Sequence, residues 1–208
     1  MAGTVRLLKN VSGLWLLQEC RRVWAERGAD HSHEWLLAAA EAAPPFAALV
    51  APDDPAFLHP ADMPAALAEY CRRAGQPAPE SHAALARCIF ESLALKYRWV
   101  LEKLEGMLGY RLDTLHIVGG GALNGLLCQL TADATRRPVI AGPVEATALG
   151  NALVQAMALG ELASLAEARA IIRESFELQR YEPRASDGWD EAYARLQTMV
   201  QRGAASAV

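Results

Sequence analysis

A chain of 208 residues with 52% hydrophobic and 21% charged side chains can bury one sizeable core or two small ones, which excludes a peptide ligand and a disordered tail. Twenty Lys and Arg stand against 24 Asp and Glu for a net charge of -4, so no positive field draws the chain to nucleic acid or anionic lipid. The uncharged stretch from Leu115 to Ala132 holds Gly119, Gly120, Gly121, Asn124, Gly125 and Gln129, too polar for a membrane span. Residues Met1 to Arg6 lack the basic, apolar, small-residue order of a signal peptide, and a cytoplasmic location is the default expectation. Cys20, Cys71, Cys88 and Cys128 form no CxxC pair, so a structural zinc site is not expected. A Cys71–Cys88 disulfide is geometrically possible, but two buried thiols are favoured in a reducing compartment. His31 and His33 read as solvated side chains at a helix start.

The first predicted helix runs from about Leu7 to Arg27, apolar on more than one face and therefore enclosed by neighbours. Gly28 stops it, and Asp30 or Ser32 caps a second helix over 33–43 that ends at Pro44 and Pro45. Residues 44–61 carry five prolines with Asp53 and Asp54 and read as a turn-rich loop across the surface, the two aspartates being solvated. A third helix starts near Pro64 and reaches Arg73, and a long fourth one spans about 81–108. The pattern then changes. Leu115 to Val118 is a short strand ended by three glycines, a helix follows from Leu123, and Pro138 to Ala141 is a second strand. Helices are expected over 146–158, after the capping pair Ser164 and Glu167, and from Asp187 toward Val200. Two short strands cannot make a stable sheet alone, so they either pair only with each other under the helices or belong to a sheet completed by polypeptide outside this chain.

The glycine turn Gly119-Gly120-Gly121 with Asn124 leads from strand to helix, where main-chain N–H groups and missing Cβ atoms admit a ribose or phosphate. It is neither a dinucleotide fingerprint nor a P-loop, and a plain tight turn fits the same residues. On the first helix Asn10 and Gln18 fall about 80° apart around the axis and about 12 Å along it, so both could line one cleft. Neutral amides suit sugar hydroxyls and nucleotides, although Asn10 also fits a helix cap and Gln18 a solvated side chain. Glu145 reads as a favourable charge at a helix N-terminus. No general base is visible.

The segments LLKNVSGLWLLQECRRVW (7–24), HAALARCIFESLALKY (82–97), LHIVGGGALNGLLCQLTADA (115–134) and VIAGPVEATALGNALVQAMALGEL (139–162) resemble the C-terminal part of FGGY-family carbohydrate kinases. The strings KNVSGLWLLQ and AGPVEATALGN are particular to the branch acting on L-rhamnulose. The resemblance implies a helix-rich α/β chain, part of the C-terminal lobe of an actin-like (ribonuclease H-like) ATPase fold with some sheet strands missing. It implies residues 1–181 as the kinase domain, incomplete at its N-terminus, and 182–208 as a terminal helix and tail. It further implies ATP, Mg²⁺ and a ketose as ligands. Gly119, Gly120, Gly121 and Asn124 would contact adenosine, Gln18 would line the nucleotide site, and Asn10 would reach the sugar, the glycine turn and the amides forming two walls of one cleft. No catalytic residue is assigned here, because the family's base aspartate and phosphate loop lie in an N-terminal part that this chain lacks. L-fuculose, xylulose or glycerol as substrate, and a non-catalytic nucleotide-binding remnant, are the alternatives.

Overall fold

Polar caps set most helix starts in the computed structural model, which describes residues 7–205; the signal-peptide reading of Met1 to Arg6 lies outside the described residues. Ser32, Asp62, Ser81 and Ser164 accept hydrogen bonds from main-chain N–H groups at the starts of α2 (His33–Ala42), α3 (Met63–Arg73), α4 (His82–Leu108) and α7 (Leu165–Ser175), satisfying donors that have no partner inside the helix. The remaining helices are α1 (Trp15–Glu26), α5 (Gly125–Thr135), α6 (Ala146–Ala158) and α8 (Trp189–Ala205). The described residues divide into two compact units, one formed by residues 7–111 with 185–205 and the other by Leu112–Arg184.

The first unit is helical: α1 packs on α3, and α2 and α8 pack on α4. Leu16, Leu36, Leu49, Phe57, Phe90 and Leu196 are fully buried. Contrary to expectation, α1 begins at Trp15 and is buried along one stripe, Leu16, Leu17, Cys20, Val23 and Trp24. Gly13 takes a left-handed φ of +56°, and the Ser12 amide donates to Asp53 at 3.0 Å instead of entering a helix.

The proline-rich loop is not a surface strap throughout. Leu49 and Val50 are fully buried, which is possible because their polar backbone finds side-chain partners. Val50 N–H donates to Ser92 Oγ at 2.9 Å, Leu49 exchanges two hydrogen bonds with the Gln76 amide, and Phe46 N–H donates to Glu91 at 2.8 Å. Burial pushes the Glu91 carboxyl up, against the nearby Arg87 guanidinium at 2.6 Å.

The reading of His31 as solvated is also corrected. His31 Nε2 lies 2.6 Å from His82 Nδ1, and the pair sits between stacked indoles, His82 on Trp24 and His31 on Trp35. All four cysteines are buried free thiols.

The second unit is a small α/β layer. Strands β1 (Leu115–Ile117), β2 (Val139–Ala141) and β3 (Gln179–Tyr181) lie in the order β1-β2-β3. β1 and β2 are parallel, with Leu115 opposite Val139, and β3 runs antiparallel to β2, with Tyr181 opposite Val139. The third strand was not expected from sequence. Alternation along the strands turns Leu115, Ile117, Val139, Ala141 and Tyr181 toward Cys128 and Ala132 of α5. Among the described residues no helix is long and apolar enough to cross a membrane.

Burial of His82 and then the charge of His31 hold the His82 imidazole below its ordinary value. The unfolded chain therefore binds a proton near pH 6.5 that the folded chain resists, and stability should be full above that pH and decline below it. Urea unfolding between pH 5 and 8 checks this, with His82→Gln expected to flatten the acid limb.

Candidate functional site

The glycine turn follows β1 directly, and most of its features come from local constraints. Gly119 has φ +73°, a conformation strained for other residues, and its N–H donates to Pro143 O at 3.3 Å. A Cβ at Gly121 would meet Ile117 Cγ2 at 3.4 Å, whereas one at Gly120 would meet nothing within 4 Å. Gly120 is thus the exposed, open member of the three. The segment Gly119–Leu123 is a 3-10 turn, and α5 starts at Gly125 rather than at Leu123.

Asn124 joins the turn to the helix. Its side chain is completely buried, and its Oδ1 accepts from Leu127 N–H at 2.9 Å while its backbone oxygen accepts from Cys128 N–H. The helix N-terminus is therefore partly satisfied from within. The Asn124 Nδ2 is buried without a hydrogen-bond partner, an uncommon state for a polar atom.

A cavity of about 450 Å³ lies beside the turn, lined by Leu123, Val144, Glu145, Phe176, Glu177 and Tyr181. Its size falls in the range of small-molecule sites. Apolar walls suit a flat ring, and the Glu145 and Glu177 carboxylates can accept from hydroxyl or amino groups but repel phosphate. Burial raises the Tyr181 phenol, so it stays a donor, bonded to Gln179 at 2.7 Å. Burial also pushes the Cys128 thiol up to about 11, leaving it unreactive behind the turn. Sequence reasoning missed Phe176, Glu177 and Tyr181, because the Gln-Arg-Tyr strand shows no run of apolar residues.

The two amides belong to the first unit. Gln18 is exposed on α1, and Asn10 is exposed in the non-helical segment before it. Because that segment is not helical, the helical spacing assumed for the pair does not apply, and Asn10 caps nothing. What fixes the segment is Asp53, which was expected to be solvated. Burial raises the Asp53 pKa, but Lys96 at 3.0 Å, the Ser12 amide and Lys9 outweigh it and hold the carboxyl below its usual range. Lys96 is itself buried, with its ammonium 4.2 Å from the Trp99 ring centre. Asp54 caps a short turn. Glu145, as expected, stands at the start of α6, although its side chain makes no cap bond.

Among the described residues no three His, Cys, Asp or Glu side chains gather as metal ligands.

A family model described as the C-terminal domain of the FGGY family of carbohydrate kinases matches residues 1–159. The chain belongs to this family. It is 48% identical over 199 residues to a rhamnulokinase of Bacteroides thetaiotaomicron, covering 96% of this chain and 40% of that protein. A rhamnulokinase of Pectobacterium carotovorum subsp. carotovorum is likewise 48% identical, with 96% and 39% covered. The chain thus spans about two fifths of the length of these relatives. Among solved structures, xylulose kinase from Rhodospirillum rubrum matches with a TM-score of 0.63 at 20% identity over 90% of this chain and 37% of that one. Plasmodium falciparum glycerol kinase with ADP matches with a TM-score of 0.63 at 16% identity, covering 92% and 37%. These likenesses establish the fold, the C-terminal part of an actin-like ATPase.

Two substitutions test the local architecture. Asn124→Ala should destabilise the second unit by about 1–2 kcal/mol through the lost cap, with Asn124→Ser recovering much of it. Asp53→Asn strands the buried Lys96 charge and should cost about 3 kcal/mol in urea unfolding. Deuterium exchange should then rise at Ser12.

Proposed function

We propose that this chain is part of an ATP-dependent kinase that converts L-rhamnulose to L-rhamnulose 1-phosphate. The observation that carries the reading is 48% identity, over nearly the whole chain, to relatives named rhamnulokinase. In this reading adenosine lies against Gly119, Gly120, Gly121 and Asn124, with the cavity beside the turn taking the ring or ribose. Its two carboxylates favour that end of ATP and turn the phosphates away. Gln18 contributes to the nucleotide site and Asn10 bonds a sugar hydroxyl. The domain runs over residues 1–181, with 182–208 as terminal helix and tail.

Phosphoryl transfer requires both substrates in line, charge stabilisation and a base for the attacking hydroxyl. Bound Mg²⁺ supplies charge neutralisation on the phosphates. The base and the Mg²⁺ site are assigned to the N-terminal lobe of a longer protein, the partner of this region. The chain alone is then inactive, and its place of action is the cytoplasm.

The alternative keeps nucleotide binding and drops the chemistry: a nucleotide-binding module without catalysis. L-fuculose, xylulose or glycerol as the phosphoryl acceptor keeps the fold and changes the sugar.

The experiment pairs ligand-induced stabilisation with a substrate panel. ATP at about a hundred times its Kd should stabilise the 208-residue chain by about 2.7 kcal/mol. Gly120→Val, whose side chain enters open space, should leave helix content intact and remove the ATP effect. An undiminished ATP shift in that variant rejects the glycine turn as the site. The longer protein should show its highest kcat/KM with L-rhamnulose among the four acceptors; a higher value with another sugar reassigns the substrate, and no turnover with any favours the non-catalytic module.

A further inference from the structure

Asn10 is exposed in a segment without regular secondary structure, and among the described residues its side chain makes no hydrogen bond. Its donors and acceptor are unspent, as a ligand-binding amide requires. Free backbone would place them poorly, because ordering it on binding costs about 1–2 kcal/mol per residue. The segment is instead held on both sides of Asn10 by one carboxylate. Ser12 donates its N–H to Asp53 Oδ1 at 3.0 Å, its hydroxyl lies 3.4 Å from the same oxygen, and the Lys9 ammonium is 3.8 Å from Oδ2. The Lys9 contact is long and half exposed and contributes little, so the Ser12 bond is the hold. Gly13 follows with its left-handed φ, and α1, which carries Gln18, begins at Trp15. Fixing Ser12 thus fixes Asn10 relative to that helix.

Asp53 can do this because it is itself fixed. Three residues earlier, Val50 N–H donates to Ser92 Oγ of α4 at 2.9 Å, and beside it Asp54 N–H closes a turn onto Ala51 O at 3.0 Å. Lys96 stands one turn along α4 from Ser92, on the same side of the helix. Its side chain is 5% exposed, and its ammonium is 3.0 Å from Asp53 Oδ2 and 4.2 Å from the Trp99 ring centre. A buried ammonium without its counter-charge is costly, which keeps the carboxylate where it is. The contacts therefore run from the longest helix, through Asp53, to the main chain beside Asn10.

We propose that Asp53 is a positioning residue for the phosphoryl acceptor: by holding the Ser12 amide, with Lys96 fixing its carboxylate, it sets where Asn10 meets the sugar hydroxyl. The assignment rests on the reading of Asn10 as a sugar contact. Asp53 touches neither substrate in it, and its effect passes through the backbone of residues 10–12. A shift of about 1 Å in such a contact can cost about a hundredfold in rate, so a residue remote from the chemistry governs use of the sugar and not of ATP.

Asp53→Asn alone strands the Lys96 charge, so two double variants separate position from stability. Asp53→Asn with Lys96→Met removes both charges and keeps an acceptor for the Ser12 N–H; Asp53→Leu with Lys96→Met removes the acceptor as well. Apolar replacement of a buried ion pair is often neutral, and both should keep the Tm of the 208-residue chain within about 4 °C of the parent. Asp53→Ala with Lys96→Met takes the place of the leucine variant if that one does not fold. Ser12 should exchange its amide at least about tenfold faster in the leucine variant and within about threefold of the parent in the asparagine variant. In the longer protein, kcat/KM for L-rhamnulose should fall about 10–100-fold in the leucine variant, with KM for ATP within about twofold, and stay within about threefold of the parent in the asparagine variant. Asn10→Ala should show the same sugar defect, and adding it to the leucine variant should bring little further loss, since both act on one contact. Equal loss in both double variants, an accompanying rise in KM for ATP, unmoved Ser12 exchange, or losses that multiply when Asn10→Ala is added each overturn the proposal. Unchanged sugar kinetics in the leucine variant beside a defective Asn10→Ala reject Asp53 alone. Unchanged sugar kinetics in Asn10→Ala, or a parent that phosphorylates none of the four acceptors, reject the reading of the site, and the assignment falls with it.

Discussion

The hydrogen bond from Leu127 N–H to Asn124 Oδ1 decides where α5 begins, and the second unit is arranged around that start. It ends the glycine turn, orients α5, and so sets Cys128 and Ala132 against the inner faces of β1 and β2. An interior of small side chains allows the helix to approach the sheet closely, leaving little space to absorb a change in its position. The open Gly120 and the adjacent cavity are consequences of the same corner. Gly120 stands in the 3-10 turn held between β1 and α5, while Val144, Phe176 and Glu177 of the cavity lie in the connections around β2 and β3.

Much of this was legible because short-range rules dominate at element ends. Ser32 and Ser164 announce their helices by the chemistry of an unsatisfied N–H. The strand before the glycine turn and the one after Pro138 stand out as brief apolar runs between turn residues. Resemblance in four segments then supplied the family, which composition and periodicity alone could not reach. The three glycines were read together from sequence, and why Gly120 and not Gly119 or Gly121 has open space around it required coordinates.

What escaped depends on partners distant in sequence. Asp53 looked like half of a solvated turn until Lys96 and Ser12 were seen beside it, and no local rule connects those three. The Ser12 amide bonded to Asp53, with the left-handed Gly13 after it, keeps the apolar residues before Trp15 from extending α1. His31 and His82 meet across 51 positions, and the burial of Leu49 and Val50 is permitted only by Ser92 and Gln76. β3 is polar and short, so its pairing with β2 is visible only in the assembled sheet.

The second unit interrupts the first in sequence, and α5 holds both of its ends. Arg137, just after the helix, donates to Leu112 O at 2.7 Å where the chain enters the unit; where it leaves, Gln129 donates to Glu182 O and Asp133 accepts from Arg184 N–H, both at 2.8 Å. On a ribosome this imposes an order. Residues 112–184 form a contiguous stretch that can fold once it has emerged, whereas the first unit waits for α8. That helix brings Trp189 against Phe46 and Arg195 onto Gln76, completing a core begun by residues synthesised long before. Until then the first unit exposes the α4 surface that α8 will cover, a window for misassociation that closes only once α8 has emerged.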